Sequence, residues 1–297
     1  MVDGLLTILT PTYNRAHTLH ALYDTLVNQT YKQFIWLVVD DGSNDETYEL
    51  IEEYKRQNKL NIVYLKKTNG GKHTALNFAI PQISSILTFI VDSDDCLTLD
   101  AVEQIVSIYE KYRHHEGLCG FSFLRVRPDG SPMIAKRLSQ NEFIANFVQT
   151  RINGNLLGDM AEVWYTHCLA QYPFPEFPGE RFIGEDIVWI RMAATYDMVF
   201  LSKEIYISEY LEGGLTKNRR RNNIKSPRGC LLRAEVHLDA NLQFLHKLKA
   251  AMQYIIYGRF SGYNYSDLYR RSQHKMLYRF AFPPSFILYH FWRIAFM

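Results

Sequence analysis

The sequence predicts an α/β fold with a mostly parallel sheet, followed by a basic helical C-terminal extension. Continuous apolar runs of strand length alternate with segments of helical spacing over the first hundred residues, which is typical of a parallel sheet covered on both faces. The charge is also divided: residues 1–216 carry 18 Lys and Arg against 28 Asp and Glu, whereas residues 217–297 carry 15 against three. The net charge of +2 therefore averages an acidic body and a basic tail, which favours an anionic partner for the tail.

The elements follow from these patterns in chain order. Apolar runs predict buried strands at 5–10, 34–39, 62–65 and 86–91, with Pro11 ending the first. Helical spacing predicts helices at 16–29, 45–54, 71–80 and 99–114. Beyond them we expect a hairpin of 121–126 and 133–134, an irregular loop over 158–189 leading into a helix from Glu185, and a strand at 205–207. Two helical stretches, 231–257 and 266–280, complete the chain.

The composition excludes several classes of protein. With 47% hydrophobic residues the chain can bury a core, so disorder is excluded as its main state. The four cysteines have neither zinc-site nor redox spacing, which favours reduced thiols. Asp3 stands where a signal peptide is basic, and no run reaches the roughly 18 apolar residues of a membrane span. We expect the catalytic part to work in the cytoplasm, and no feature suggests a nucleic-acid partner.

The segment Asp92-Ser93-Asp94-Asp95 directly follows the fourth predicted strand. Three carboxylates at a strand end repel one another, so a cation is expected between them. A few hard oxygen ligands suit Mg²⁺ or Mn²⁺ better than a closed zinc site. The alternative is that Asp94 or Asp95 only caps the next helix, although Thr98 and Asp100 are better placed for that.

Polar residues also follow the first two strands, as Thr10-Pro11-Thr12-Tyr13-Asn14-Arg15 and Asp40-Asp41-Gly42-Ser43. A carboxylate can accept the imide proton of uracil, and an aromatic ring can stack on the base. Either segment alone is an ordinary loop or turn. Ligands of parallel sheets bind beyond the carboxyl ends of the strands, so the three clusters together predict a nucleotide-diphosphate pocket.

The motifs T-P-T-Y-N-R, V-V-D-D-G-S, N-G-G-K-H-T-A-L-N and V-D-S-D-D, in this order, resemble the family 2 glycosyltransferases over about residues 5–216. The resemblance implies a nucleotide-sugar-binding, Rossmann-like A-type glycosyltransferase fold and transfer from a UDP-sugar with inversion. It implies Asp94 as the ligand of Mn²⁺ or Mg²⁺. The nucleotide-binding residues that it implies are Pro11, Tyr13, Arg15, Asp41, Asn69, Lys72 and Asp92.

An inverting transfer needs a base behind the acceptor hydroxyl. The family carries it in a Glu-Asp pair that opens a helix, which matches Glu185-Asp186. Asp186 is the expected base and Glu185 the second choice. The alternative is that this pair only complements the dipole of its helix. Asp159, which follows Gly158, is a candidate acceptor-binding residue, although such an Asp is commonly a turn residue.

The basic tail has two functional interpretations. Residues 212–217 with Arg219 to Arg221 could close over the leaving diphosphate. Alternatively, these cations meet a lipid diphosphate or an anionic membrane. The aromatic and basic segment 276–297 is interrupted by two prolines and suits a membrane interface, or else it docks on the catalytic domain.

These observations predict three regions: a nucleotide-binding half (1–98) and an acceptor half (99–215) of one catalytic domain, and a basic lid with a helical extension (216–297). The function expected is transfer from a UDP-sugar to a glycan, such as a polyprenyl-diphosphate-linked intermediate of cell-surface polysaccharide, at the inner face of the plasma membrane. A nucleotidyltransferase that makes the sugar nucleotide and a non-catalytic UDP-sugar-binding membrane scaffold are the alternatives. The former needs a basic glycine-rich loop after the first strand, which residues 11–15 lack.

Overall fold

The structure is a computed structural model that describes residues 4–209 and 219–296. The chain forms two compact units. The first contains residues up to 146, 156–173 and 195–209, and the second contains 147–155, 174–194 and the described residues from 219 onward. The second unit thus includes segments that precede position 215 in the sequence. The predicted boundary at 215, between the catalytic domain and the basic extension, lies outside the described residues and stays a prediction.

The first unit is built on one nine-stranded sheet. Its strands are Leu6–Thr12 (β1), Ile35–Asp40 (β2), Asn61–Lys66 (β3), Leu87–Ile90 (β4), Cys96–Leu97 (β5), Leu118–Val126 (β6), Glu142–Ala145 (β7), Met160–Tyr165 (β8) and Asp197–Ile207 (β9). The order is β3-β2-β1-β4-β8-β6-β9-β5, with β7 also paired to β9. The first four strands are parallel as predicted, whereas β8 pairs antiparallel with both neighbours, so the whole sheet is mixed.

The first strand continues beyond the predicted end. Pro11 and Thr12 belong to β1 and pair with Val39 and Asp40 of β2. The Leu9 carbonyl accepts a hydrogen bond from the backbone N–H of Val91, so Leu9 faces the β4 side of the strand. Pro11 lies two residues further on and faces the same side, but β4 has already ended at Ile90. The missing N–H of proline therefore costs no hydrogen bond in the sheet.

The prediction of an irregular loop over 158–189 was wrong at its start. Residues Met160–Tyr165 form β8, a strand between β4 and β6, and Thr166–Gln171 (α5) follows it. Val163 pairs with Phe89 on one side and with Phe121 on the other, and all three are fully buried. The strand depends on these long-range partners, which the local mixture of glycine, proline and aromatic residues does not reveal.

Helices cover the sheet of the first unit: Ala16–Val27 (α1), Thr47–Gln57 (α2), Lys72–Ala79 (α3), Ala101–Tyr112 (α4) and α5. The predicted helices near 16–29, 45–54, 71–80 and 99–114 are confirmed. The buried positions of α1 are Leu19, Leu22, Tyr23 and Leu26, which have the spacing of one helical face. This face anchors α1, so the loop before it is held at the end of β1.

The second unit consists of Asp186–Met192 (α6), Arg219–Lys225 (α7), Pro227–Asp239 (α8), Phe244–Phe260 (α9), Tyr265–Arg271 (α10), Lys275–Phe296 (α11) and a π-helical turn at Val148–Asn153. Small and aromatic side chains of α8 to α11 form its core, including Ala234, Ala250, Ala251 and Tyr278. The expected single helix over 231–257 is two helices, α8 and α9.

The prolines do not interrupt α11, contrary to expectation. The helix runs through Pro283 and Pro284, whose absent N–H groups correspond to the carbonyls of the exposed residues Arg279 and Phe280. Water can satisfy those carbonyls on the outer face. None of the helices in 4–209 and 219–296 is long and apolar enough to cross a bilayer.

Candidate active site

The polar clusters after β1, β2 and β4 lie at one edge of the sheet, because β1 is bordered by β2 and β4 and all three are parallel. Asn14 ties the first loop to the second: its backbone N–H donates to Ser43 Oγ (2.9 Å), and its Oδ1 accepts from the backbone N–H of Asn44 (2.9 Å). Pro11 is buried, whereas the Tyr13 side chain is exposed at this edge. A solvent-facing ring beside a fixed loop can stack on a base.

Asp41 organises the loop that leads into α3. Its carboxylate accepts hydrogen bonds from Lys67 Nζ (2.9 Å), Asn69 Nδ2 (3.1 Å) and the backbone N–H groups of Gly70 (3.0 Å) and Gly71 (2.7 Å). The residue is 3% exposed. Asp41 and Asn69, both expected at the nucleotide, are therefore bonded to each other in this structure. Contact of Asp41 with uracil stays a prediction.

The acidic loop after β4 is paired with cations from two other loops. Lys72 Nζ lies 2.5 Å from Asp92 Oδ1, and Arg15 Nη1 lies 3.7 Å from Asp94 Oδ2. Burial alone would raise the pKa of Asp92, but the charges of Lys72 and then Arg125 bring that pKa below its ordinary value. The structure thus places Arg15, Lys72, Asp92 and Asp94 together, as the sequence predicts.

A buried layer beneath this loop was not predicted from the sequence. Tyr206 of β9 donates its hydroxyl to Asp95 Oδ2 (2.7 Å) and accepts from the backbone N–H of Asp92 (3.0 Å). The Arg125 guanidinium lies 4.0 Å from the centre of the Tyr206 ring and 3.7 Å from Asp95 Oδ2. Burial, and then the charge of Asp92, raise the pKa of Asp95 to about 7. The sequence signal for this layer was Arg125, a charged residue within the largely apolar run of β6.

Neither Asp94 nor Asp95 caps a helix. The short strand β5 follows them, and α4 begins after Asp100. Asp100 occupies the N-cap position of α4, and its carboxylate accepts hydrogen bonds from Thr98 Oγ1 and Gln104 Nε2. The acidic loop is therefore left for another role.

Asp159 lies immediately before β8 and is exposed. Because Val163 pairs with Phe89 in an antiparallel register, the start of β8 lies beside the end of β4. The topology therefore puts Asp159 at the same edge of the sheet as Asp92 and Asp94. An acceptor-binding role for it stays a prediction.

The second unit holds the Glu-Asp pair at the start of α6, with Glu185 at the N-cap position and Asp186 as the first helical residue. Arg233 of α8 approaches the Asp186 carboxylate through Nε (2.7 Å to Oδ1) and Nη2 (2.6 Å to Oδ2), and His237 Nε2 is 2.9 Å from Oδ2. Burial opposes ionisation, but Arg233 and His237 hold the pKa of Asp186 far below its usual range. Asp186 is thus a fixed, ionised carboxylate.

The donor set at the acidic loop fits a cation that is shared with a substrate. No group of three or more His, Cys, Asp or Glu side chains among the described residues could form a complete metal cage. Mg²⁺ and related ions are commonly held by one or two carboxylates plus substrate phosphates. The part-exposed carboxylate of Asp94, with Asp92 nearby, matches that smaller requirement.

Two expected features cannot be placed. The loop 212–217 lies outside the described residues, as does the side chain of Arg219. Arg220 is described: its guanidinium lies 4.5 Å from the Trp292 ring centre and 5.5 Å from that of Phe296. This cation therefore stacks on α11 within the second unit.

Comparison with known proteins agrees with the fold and the motifs. The family described as "Glycosyl transferase family 2" matches residues 7–153. A β-1,3-glucosyltransferase of Escherichia coli, WfgD, named for UDP-Glc and α-D-GlcNAc-diphosphoundecaprenol, is 34% identical over 113 residues, 37% of this chain and 43% of WfgD. The chain spans 16% to 50% of the length of the curated relatives that it matches.

Several solved structures share the fold. Residues 1–349 of Staphylococcus aureus TarS, in complex with UDP-GlcNAc, align with a TM-score of 0.61 at 19% identity, over 95% of this chain and 80% of that one. The mannosyltransferase PcManGT of Pyrobaculum calidifontis, with GDP-Man and Mn²⁺, gives 0.56 at 15% identity, over 99% and 84%. The fold is that of the A-type glycosyltransferases. Residues 7–153 of the chain belong to glycosyl transferase family 2, whose motifs occupy the sheet edge described above.

Proposed function

We propose that this protein is an inverting, metal-dependent glycosyltransferase that moves a sugar from a UDP-sugar to a hydroxyl of a glycan. The observation that carries the proposal is the meeting of the β1, β2 and β4 clusters at one sheet edge within a family 2 domain. Pro11, Tyr13, Arg15, Asp41, Asn69, Lys72 and Asp92 serve the nucleotide. Asp159 serves the acceptor.

The chemistry assigned to this chain is a single displacement. Asp186 removes the proton of the acceptor hydroxyl while that oxygen forms a bond to the anomeric carbon. The bond from this carbon to the diphosphate oxygen breaks, and its electron pair leaves with UDP. Attack opposite the leaving group inverts the anomeric configuration. Glu185 is the second choice for the base.

Asp94 is the residue assigned to a divalent cation, Mn²⁺ or Mg²⁺, with Asp92 beside it. When bound, such an ion stabilises the negative charge that develops on a diphosphate leaving group. Lys72 and Arg15 add fixed positive charge at the same edge and so favour binding of the diphosphate. The complex of PcManGT with GDP-Man and Mn²⁺ supports the class of ion.

The proposed acceptor is a lipid-linked intermediate of cell-surface polysaccharide at the inner face of the plasma membrane. The substrate in the name of WfgD is a diphosphoundecaprenol-linked sugar, which supports this choice. The outer face of α11 supports it independently, because Met276, Phe280, Ile287, Phe291 and Ile294 are exposed there. An amphipathic helix with aromatic and basic residues suits a bilayer surface.

The decisive experiment incubates the purified protein with a panel of UDP-sugars and MnCl₂ or MgCl₂ and measures released UDP. The proposal expects UDP from one sugar of the panel and its loss on chelation by EDTA. Asp94→Asn is expected to lower that release by at least tenfold, with Asp100→Asn as a control. Release of pyrophosphate from UTP and a sugar phosphate, with no UDP from the panel, would identify a nucleotidyltransferase instead.

A further inference from the structure

The two carboxylate oxygens of Asp186 have different surroundings. Oδ2 receives Arg233 Nη2 at 2.6 Å and His237 Nε2 at 2.9 Å. The single N–H of Arg233 Nε is shared by both oxygens, 2.7 Å from Oδ1 and 2.8 Å from Oδ2, and is the one donor to Oδ1 among the described residues. A carboxylate oxygen has two lone-pair directions, so Oδ2 is saturated and Oδ1 retains acceptor capacity.

A glycine keeps the space around Oδ1 open. A Cβ placed on Gly184 would lie 2.8 Å from Asp186 Oδ1 and 3.0 Å from Arg233 Cδ. Such distances are shorter than normal van der Waals contacts, so an alanine there would push against the carboxylate and the arginine that holds it. Gly184 thus keeps a side chain away from both Oδ1 and Arg233.

We propose that Arg233 and His237 are positioning residues that anchor Oδ2 of Asp186, and that Oδ1 is the atom that takes the proton of the acceptor hydroxyl. The inference rests on the proposed function, in which Asp186 is the base. The proton moves from the acceptor oxygen to Oδ1, the oxygen bonds to the anomeric carbon, and the diphosphate leaves with the electron pair of the broken bond. Helix α8 then supplies both positioning residues.

The surroundings of the ion pair define how it responds to pH. Cys230 of α8 and Tyr257 of α9 face Arg233, and Glu185 adjoins Asp186. Glu180 fixes the start of α8 by accepting from two backbone N–H groups there, each at 2.8 Å. Arg233 favours the ionised form of Asp186, so its removal raises the pKa of that carboxyl. The acidic limb of the rate profile, where the base becomes protonated, then moves to higher pH.

The test uses the full chain and the UDP-sugar that is hydrolysed fastest in the panel, with MnCl₂, between pH 4 and 9. Arg233→Met and His237→Ala are expected to lower kcat by 10- to 100-fold and leave the donor KM within twofold. Arg233→Met also moves the acidic limb of kcat upward, from below the tested range toward the ordinary aspartate pKa of about 4, so that kcat falls at the acidic end of the range. Arg233→Lys and His237→Gln, which keep a donor, recover at least part of kcat. The control Arg228→Met, an exposed cation of the same helix, leaves both constants unchanged.

Gly184→Ala places a methyl group against both Oδ1 and Arg233, with an expected tenfold or greater loss in kcat and an unchanged donor KM. Asp186→Asn separates the anchoring inference from the proposed base. If Asp186→Asn is inactive while Arg233→Lys, Arg233→Met and Gly184→Ala keep the wild-type kcat and acidic limb, the anchoring inference is wrong and the base stands. If Asp186→Asn retains turnover, the proposed base itself is wrong, and the anchoring inference falls with it.

Discussion

Lys72 Nζ and Asp92 Oδ1 are 2.5 Å apart and join the first turn of α3 to the loop after β4. Both side chains are about one-third exposed, so the pair faces the edge where a diphosphate is proposed to bind. Lysine is a compact, rotatable positive charge that binds phosphate oxygens readily. The same ammonium can therefore hold Asp92 in the free protein and meet phosphate in the complex.

Replacing Lys72 by methionine is expected to weaken UDP binding by at least tenfold, about 1.4 kcal/mol, because a charge-assisted contact is lost. Isothermal titration of UDP in the presence of MnCl₂ measures the dissociation constant. Lys59→Met, at an exposed position, is the matched control and should leave it unchanged. Equal affinity of the two variants for UDP would remove Lys72 from the nucleotide site.

Asp41→Asn is expected to lower the free energy of unfolding by about 2–4 kcal/mol. The substitution turns one acceptor oxygen into a donor that faces Lys67 and the N–H groups of Gly70 and Gly71. Urea denaturation followed by circular dichroism measures the change. Asp24→Asn, an exposed substitution, should change it by less than about 0.5 kcal/mol. A similar small effect at both positions would show that the Asp41 contacts are dispensable.

The sequence predicted the elements whose signal is local. The first four strands are continuous apolar runs, and their parallel order brings Asp41, Asp92 and Asp94 to one edge without further information. The strand β8 was missed because it is defined by its partners β4 and β6. A strand identified by pairing rather than by periodicity cannot be recognised from its own residues.

The partners of the candidate site residues were missed for the same reason. Arg233 is 47 positions from Asp186, and Tyr206 is 111 positions from Asp95. In the sequence Arg233 is one of many cations in a basic stretch, whereas the fold selects it as the partner of one carboxylate. Charge counts describe the composition of a segment, and only the tertiary structure assigns each charge a neighbour.

The buried thiols predict a loss of stability at alkaline pH. Burial raises the pKa of Cys119 to about 12 and that of Cys168 to about 11. An unfolded thiol loses its proton near pH 8.5, so the unfolded state releases protons first as pH rises. Each buried thiol therefore makes its full contribution to the free energy of unfolding below pH 8.5, and that contribution is lost as the pH rises toward 11–12. The loss at pH 10 is about 1–2 kcal/mol per thiol.

Urea denaturation with a reductant at pH 7.5 and 10 tests this prediction. The double variant Cys119→Ala, Cys168→Ala should lose less stability between the two pH values than the wild type. Comparing each protein with itself cancels the packing change that the substitutions cause. An identical loss in both proteins would show that these thiols do not contribute to the alkaline destabilisation.

The two faces of α11 predict how its contact with membranes can be tested. Tyr278, Ala281, Ser285 and Tyr289 are buried in the second unit, so deleting 276–297 would expose its core and confuse unfolding with loss of binding. Substitution of the outer face avoids this problem. Phe280→Gln, Ile287→Gln and Phe291→Gln together remove apolar surface from positions that are 59–69% exposed.

We expect this triple variant to lose at least tenfold in cosedimentation with phosphatidylglycerol-containing vesicles, because insertion of apolar side chains and attraction of cations to anionic lipid act together. Residues 268–297 supply five Lys and Arg and no Asp or Glu, so binding should weaken in 0.5 M NaCl and on phosphatidylcholine alone. The control replaces three exposed apolar residues of the first unit, Phe78, Ile86 and Leu157, by glutamine and should bind like the wild type. Membrane binding by this face of α11 would be wrong if the α11 variant bound the vesicles as tightly as the control does. It would also be wrong if the wild-type protein did not bind anionic vesicles.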